Sequence, residues 1–384
     1  MKILKFVKNI VLGLLLIAGL IINLIIFFFV KEIWYYYTSP WEQFSIVKHD
    51  DLKNYIFDGL SFADNKSGII WGEYRNDEFL SGEDWSVTES VKEESGIILE
   101  SKDSGKNWRQ IYKSENKIIS ISQVTDKLFY ALEEIPPKDN SRGYFQILKF
   151  ENDSKSFINL SKIYDPVVWS KIFFFNSEVG FIFGYKEQYS NLNVMMTKDG
   201  GKNWKTVKLN YPPVNFLTDR DEPFIKYDDN NLCYRSDNNL ILLDINSMKE
   251  DVIEFPKEAV HISHFCLDDN KRLWLLGKSY SDAIALFKQK DNNDFEKIEP
   301  SLKNIDNDKK LTKFIHIYNN TIYIFLWDIN GFLPSWKLYM SADDGLTWKE
   351  EKIPQSTGTN LIALYKDNVW IHAFWDGKLQ YRHY

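Results

Sequence analysis

Short apolar runs and polar turns alternate along most of the chain. Four segments show this unit most clearly, namely 170–185, 263–277, 314–328 and 361–375, each of which is an apolar run, a polar turn and a second apolar run. Runs of this length, bounded by Asn, Asp, Ser and Gly, are typical of antiparallel β-hairpins. The pattern predicts an all-β protein from about residue 40 onward.

One turn sequence, Ser/Thr-x-Asp-x-Gly-x-x-Trp, occurs three times, as SKDSGKNW, TKDGGKNW and SADDGLTW. We call these three segments the box turns. Their defining residues are Ser101, Asp103, Gly105, Trp108, Thr197, Asp199, Gly201, Trp204, Ser341, Asp343, Gly345 and Trp348. The aspartates are 96 and 144 residues apart, and both spacings are multiples of 48. A repeat of this length with four short strands is typical of a β-propeller blade.

The number of turns predicts seven blades. Turns between third and fourth strands recur near residues 103, 153, 199, 246, 293 and 344, some of them in degenerate form, which gives six blades. A seventh begins at Leu361 and has a third strand at 378–384. Residues 40–48, PWEQFSIVK, resemble the fourth-strand sequence NWRQIYK at 107–113, so the N-terminal strand is predicted to complete the last blade. The predicted propeller therefore covers residues 40–384 and leaves no blade with an unpaired strand.

The residue types of the box turns suit a tight hairpin. The Ser or Thr hydroxyl and the Asp carboxylate can accept hydrogen bonds from turn amides. The Gly allows a positive φ, and the Trp can bury its indole against the blade. Because the three turns lie on three different blades, we interpret them as a folding device and not as one catalytic site.

The box turns resemble the BNR or Asp-box repeat of sialidases, sortilin-type receptors and the propellers that assist photosystem II assembly. The resemblance extends over about residues 40–384 and implies a propeller. The sialidases of this group use an arginine triad, a Tyr–Glu pair and an acidic Asp. Their first arginine lies in a Phe/Tyr-Arg-Ile-Pro motif, and this sequence has no such motif; Arg75 lies in GEYRNDEF.

The N-terminal segment differs from the rest. Residues 10–30 are apolar apart from Asn23 and follow Lys2, Lys5 and Lys8. A run of about 20 apolar residues is long enough to span a bilayer. We predict a cytoplasmic N-terminus at 1–9, an uncleaved signal anchor at 10–30 and a linker at 31–39. This arrangement would place the propeller in the periplasm or outside the cell, on the outer side of the cytoplasmic membrane.

Charge argues against nucleic acid as a partner. The whole chain has a formal net charge of −7, and residues 1–32 hold four lysines and one glutamate. The remaining chain therefore has 43 basic and 53 acidic residues, a net charge of −10. No metal site or cofactor is predicted, since the histidines and the two cysteines, Cys233 and Cys266, lack ligand spacing. His261 and His264 would face opposite sides of a strand, and pairing of the cysteines stays open.

The loops that join strands 2–3 and 4–1 are the predicted functional face, because loops on one rim of a rigid scaffold commonly carry binding residues. The longest are 76–95, 136–143, 186–192, 211–223 and 329–336. The candidate binding residues on this face are Arg75, Arg142, Arg220, Arg235, Tyr189, Asp219, Phe332 and Trp336. The arginines could bind a carboxylate, or could be surface groups that balance nearby acids. The aromatic residues could contact a protein, or could cover the blade core.

The sequence favours a non-enzymatic platform that binds another extracytoplasmic or membrane protein, as an assembly factor, an accessory subunit or an immunity-type protein. The alternative is a sialidase-like glycosidase or a glycan-binding lectin. A glycosidase needs acids and arginines that converge in one pocket, whereas a platform needs only an apolar or charged rim.

Overall fold

A computed structural model of the chain describes the following residues: 17–23, 26–27, 30, 41–46, 55–74, 96–137, 143–151, 156–163, 168–185, 192–213, 224–279, 284–290, 294–298, 310–328, 335–351, 353, 359–373 and 378–384. The chain divides into two compact units, Met1–Glu42 and Gln43–Tyr384.

The second unit is built from short antiparallel strands. In chain order they are β1 (Glu42–Ser45), β2 (Tyr55–Phe62), β3 (Gly68–Tyr74), β4 (Gly96–Ser101), β5 (Arg109–Ser114), β6 (Lys117–Thr125), β7 (Leu128–Ile135), β8 (Tyr144–Glu151), β9 (Ser156–Ile163), β10 (Val168–Phe174), β11 (Gly180–Tyr185), β12 (Leu192–Thr197), β13 (Lys205–Val207), β14 (Phe224–Lys226), β15 (Asn231–Ser236), β16 (Asn239–Asp244), β17 (Glu250–Glu254), β18 (Ala259–Leu267), β19 (Leu273–Ser279), β20 (Ile284–Gln289), β21 (Phe295–Ile298), β22 (Lys310–Tyr318), β23 (Thr321–Asp328), β24 (Ser335–Ser341), β25 (Lys349–Glu351), β26 (Thr359–Tyr365), β27 (Asn368–Ala373) and β28 (Lys378–His383).

These strands form seven four-stranded sheets, which confirms the predicted seven-bladed propeller. Blades 1 to 6 each take four consecutive strands, from β2–β5 in blade 1 to β22–β25 in blade 6. Blade 7 has the order β1-β28-β27-β26, so its outermost strand comes from the N-terminal side of the chain. Phe44 of β1 stacks on Tyr381 of β28 with ring centroids 6.3 Å apart.

The box turns close the hairpins through local hydrogen bonds. Ser101 Oγ accepts the amide protons of Asp103 and Gly105 at 3.3 and 2.9 Å, and Asp103 accepts bonds from both nitrogens of Asn107. The same set of bonds recurs at 197–203 and at 341–347, where Thr347 replaces the Asn. The hydrogen bond from the Asn203 side chain is the main cause that lowers the pKa of Asp199 to about 2. The bond from the Thr347 side chain does the same for Asp343.

Each box turn also packs against the preceding blade. Gly105, Gly201 and Gly345 have φ values of 85°, 88° and 89°, which favour glycine. An added Cβ on Gly105 would lie 2.3 Å from Leu379 of blade 7, and one on Gly345 would lie 2.9 Å from Ile298 of blade 5. Glycine is therefore needed for both the turn and the blade-to-blade contact.

Adjacent blades share apolar clusters. Clusters of buried side chains join blades 7 and 1, 1 and 2, 2 and 3, 3 and 4, 4 and 5, and 5 and 6. Blades 6 and 7 are joined by the ion pair between Glu351 and Arg382 and by the rings of Tyr323 and Tyr384, 5.6 Å apart. The contacts close the ring.

The two ends of the blades carry different connections. Ser104 in the first box turn donates its amide to Lys66 and its hydroxyl to Asn65, both in the β2–β3 turn. Turns between strands 1 and 2 therefore lie beside box turns at one end, which we call the box end. Because the strands are antiparallel, the 2–3 and 4–1 connections lie at the opposite end, the loop end.

The first unit is described as helix at 17–23, 26–27 and 30. The large apolar side chains of these helical residues are exposed, and Asn23 Nδ2 donates to Gly19 O at 2.8 Å, inside its own helix. In the part of the chain that the structure describes, no helical stretch reaches the length and apolarity of a membrane span. The segments 1–9 and 31–39 of the sequence prediction lie outside the described residues.

Candidate functional site

The sequence predicts eight binding residues for the loop end. Six of them lie outside the described residues, namely Arg75, Arg142, Arg220, Tyr189, Asp219 and Phe332. The structure places the other two, Arg235 and Trp336, on different blades.

Arg235 links two blades. It lies near the loop end of β15 in blade 4, and its Nη1 donates to the main-chain carbonyl of Ile262 in blade 5. A guanidinium donates in a fixed fork, so this bond orients the group toward the neighbouring strand. The role shown by this bond is a structural one between blades.

His264 forms a second link, between the innermost strands of blades 5 and 6. Its Nδ1 accepts the amide proton of Ile315 at 3.4 Å, so the neutral imidazole carries its proton on Nε2. Burial, followed by the charges of His316 and Arg235, lowers its pKa from 6.5 to about 3. His261, on the same strand, is exposed. The prediction that the two histidines face opposite sides is wrong, because a register shift between Ile262 and His264 pairs them with Lys278 and Leu276, two residues apart on β19.

We expect His264 to make the propeller sensitive to acid. Because its pKa is lower in the folded state, the contribution of neutral His264 to the free energy of unfolding is complete above about pH 7. This contribution is lost as the pH falls from 6.5 toward 3. In thermal melts at pH 7, 5.5 and 4.5, the melting temperature should fall more steeply with pH for the wild type than for His264→Asn. The asparagine keeps a hydrogen-bond acceptor and cannot take up the proton. Equal slopes for the two proteins would contradict this role.

Trp336 lies in strand β24, one residue after its start, and not in the loop to which the sequence assigned it. It is paired with Trp327 of β23, and its ring is 5.6 Å from that of Phe314 in the innermost strand of blade 6. The indole is partly exposed. Packing on Phe314 fixes an aromatic surface at the base of the 329–334 connection.

The structure also shows a buried carboxylate that the sequence did not single out. Glu133 of β7 is 1% exposed, and its Oε1 accepts bonds from Tyr112 Oη at 3.1 Å, from Ser114 Oγ and from Asn116 Nδ2 at 3.4 Å. Three of these four residues belong to blade 1 or to its link to blade 2. Burial, followed by the charge of Glu133, raises the pKa of Tyr112 to about 12.

A second buried carboxylate lies at the same junction. Glu73 near the end of β3 forms an ion pair with Lys117 at the start of β6, with 2.7 Å between Nζ and Oε2. Its side chain is 9% exposed. A buried charge is tolerated only when it is paired or hydrogen-bonded, and both carboxylates meet that condition across blades 1 and 2. Sequence spacing could not predict these contacts, because each depends on how two blades pack.

A Tyr–Glu pair is also the nucleophilic arrangement that the sialidase resemblance implies. Tyr112, however, lies on β5, the outermost strand of blade 1, with its ring edge-on to Phe157 and Phe150 at 4.9 and 5.7 Å. The pair therefore lies at the junction of blades 1 and 2, with Glu133 buried and Tyr112 partly buried. The raised pKa of Tyr112 favours the neutral phenol as a hydrogen-bond donor.

The two cysteines do not pair. Cys233 in blade 4 and Cys266 in blade 5 are both free and buried. Burial raises the pKa of both thiols, which makes them unreactive core groups.

Comparisons with known proteins support the fold. No protein-family model matches the chain, and a search of curated protein sequences finds no match. Among solved structures, YCF48 from Cyanidioschyzon merolae is similar at a TM-score of 0.55 and 13% identity, over 89% of this chain and 98% of that one. At this identity the likeness shows the propeller fold alone.

Two other solved structures overlap with this chain less well. The Cps50 (Swd1) β-propeller domain of Myceliophteria thermophila has a TM-score of 0.46 and 10% identity, over 82% of this chain and 93% of that domain. Pyrococcus horikoshii acylaminoacyl peptidase has a TM-score of 0.47 and 12% identity, over 84% of this chain and 50% of the peptidase.

Proposed function

We propose that this chain is a membrane-anchored Asp-box propeller that acts as a non-enzymatic platform for another protein. Residues 10–30 anchor it with a cytoplasmic N-terminus, and the propeller lies in the periplasm or outside the cell. The partner is an extracytoplasmic or membrane protein, so the chain serves as an assembly factor, an accessory subunit or an immunity-type protein.

One observation supports this proposal: at the loop end, Glu73, Glu133 and Arg235 are each bonded to a neighbouring blade. Glu73 pairs with Lys117, Glu133 accepts bonds from Tyr112 and its neighbours, and Arg235 donates to Ile262. Such bonds stiffen the rim, and a stiff rim loses little conformational entropy when it binds a partner. Trp336 then offers a pre-positioned aromatic group, the residue type enriched at the energetic centres of interfaces.

The anchor is supported by the apolar run at 10–30, in which Asn23 is the one polar residue, and by the exposed apolar side chains at 17–23. Exposed Leu and Ile side chains on one helix favour an apolar surrounding over water. An alkaline carbonate wash of host membranes tests this part. The full chain should stay with the membrane, and its release into the wash would contradict the anchor.

Partner capture tests the platform itself. The full chain with a C-terminal tag is crosslinked in its own host, purified, and compared with Trp336→Ala and with Phe157→Ala. Phe157 is a matched aromatic control on the outermost strand of blade 2, 42% exposed. We expect a stoichiometric protein partner that Trp336→Ala reduces at least ten-fold and Phe157→Ala leaves unchanged, with thermal melts to show that both variants fold. Equal capture by all three proteins would contradict the role of Trp336.

A sialidase-like glycosidase or a lectin is the second candidate, and the Tyr112–Glu133 pair is the observation that favours it. Fluorogenic sialosides and a glycan panel test it directly. Turnover that Tyr112→Phe abolishes would replace the platform with an enzyme. We expect no turnover, because the Tyr112 ring packs edge-on against Phe150 and Phe157 of blade 2.

A further inference from the structure

A cleft of about 430 Å³ opens at the box end, between blades 6 and 7. Its walls include Tyr318, Tyr323, Trp348 and Lys349 from blade 6, and Asp367 and Tyr384 from blade 7. This volume is in the range of sites that hold small molecules or headgroups. None of the loop-end residues discussed above contributes to it.

The topology explains why the cleft is open at this junction. The box turns of blades 1, 3 and 6 each pack against the outer strands of the preceding blade, as the contacts of Gly105, Gly201 and Gly345 show. In blade 7 the third strand is β28 and the fourth is β1, which comes from the other end of the propeller sequence. No hairpin turn joins these two strands, so among the described residues no such turn covers the outer strands of blade 6.

The cleft offers aromatic rings and a carboxylate to a cation. The rings of Tyr323 and Tyr384 are 5.6 Å apart, and Arg382 already lies over the Tyr384 ring at 4.6 Å. Asp367 Oδ1 accepts a bond from Asn368 Nδ2 at 2.9 Å and lies 3.4 Å from His383 Nδ1, which fixes the carboxylate in place. Rings together with an acid are the usual recognition elements for an alkylammonium group.

The opposite wall offers a base. Lys349 of β25 is 76% exposed and lies 3.2 Å from Glu351, a carboxylate that is 10% exposed and that also pairs with Arg382. Because Arg382 keeps Glu351 paired, the exposed ammonium of Lys349 can turn toward an anion in the cleft without leaving a buried charge alone. Among the residues that line the cleft, Asp367 of blade 7 is negative and Lys349 of blade 6 is positive. The two opposite charges therefore lie on opposite walls.

We propose that this cleft binds a phospho-alkylammonium zwitterion, the chemistry shared by phosphoethanolamine and phosphocholine. The ammonium lies among the tyrosines and Asp367, and the phosphate meets Lys349. One source of this chemistry is a lipid headgroup, and this source rests on the proposed membrane anchor. The other source is a soluble phosphate ester.

Calorimetry on the full chain in maltoside micelles tests the site with phosphocholine and phosphoethanolamine as probes. We expect saturable binding that Asp367→Asn weakens at least ten-fold. Asp251→Asn, on the exposed outer strand of blade 4, is the matched control and should bind like the wild type. Absence of binding, or equal loss in both variants, would overturn the proposal.

A second set of probes separates the two charges and the two sources. Tetramethylammonium has no phosphate, so Lys349→Gln should weaken the binding of phosphocholine and leave the binding of tetramethylammonium unchanged. An equal effect on both ligands would overturn the assignment of Lys349. Glycerophosphocholine is a diester like a lipid headgroup. Binding of the diester at least as tight as that of phosphocholine supports the lipid source, and binding of the monoester alone supports a soluble ester. These readouts require no protein partner, so they stand or fall separately from the platform.

Discussion

Replacing Gly72 with alanine should destabilise the propeller by about 3 kcal/mol or more, because the new methyl group would meet main-chain atoms that cannot rotate away. An added Cβ would lie 2.0 Å from Ile56 O and 2.6 Å from Phe57 Cα, in the innermost strand of blade 1. The register of β2 shifts between Phe57 and Gly59, directly beside this point, so the strand already bends there. The alanine would push that strand toward the axis of the ring.

Chemical denaturation of the full chain measures this effect. Gly19→Ala is the matched control, since Gly19 lies in the described helix and has no atom within 4 Å of its added Cβ. For the control we expect no more than a small increase in the free energy of unfolding. A loss below about 1 kcal/mol for Gly72→Ala would show that the inner strand can move, against the close packing described here.

Replacing Trp370 with alanine should cost about 3–5 kcal/mol, the range for the loss of a large buried aromatic side chain. Trp370 of β27 is fully buried, stacks on Phe62 of blade 1 with centroids 3.7 Å apart, and donates Nε1 to Ser104 O at 3.0 Å. It therefore joins blade 7 both to the core and to the first box turn of blade 1. Its loss should weaken the junction at which the two ends of the propeller sequence meet.

Hydrogen exchange locates the Trp370 effect. Amides of β26 to β28 should lose protection first in Trp370→Ala, while those of blades 3 and 4 keep theirs. Trp370→Phe keeps much of the stacking and loses the hydrogen bond to Ser104, so a smaller loss is expected. Equal destabilisation by both variants, spread evenly over the ring, would argue against a local role for Trp370.

Much of the fold could be predicted from local patterns. Asp103, Asp199 and Asp343 are spaced by multiples of 48 residues, which predicts the blade length, and the turn at 246–249 has the same role with different residues. There Asp244 accepts bonds from Asn246 and Ser247, and Met248 takes the positive φ of 60°. Turn chemistry and strand periodicity are local properties, so the sequence carries them directly.

The contacts at the loop end could not be predicted in the same way. Glu133 and Tyr112 are 21 residues apart and belong to no common motif, and they meet because blade 2 packs on blade 1. Arg235 was predicted either to bind a carboxylate or to balance nearby acids, and its described bond is to the carbonyl of Ile262 in the next blade. Such pairings depend on tertiary packing, for which neither periodicity nor spacing gives a signal.

The most direct test of the platform is site-specific photo-crosslinking in the native host. A photoreactive phenylalanine analogue is placed at position 336 in one protein and at position 157 in another, and adducts are compared after irradiation. If a partner binds at the loop end of blade 6, we expect a discrete protein adduct from position 336 and none from position 157. No adduct at 336, or the same adducts from both positions, would contradict a partner at the loop end of blade 6.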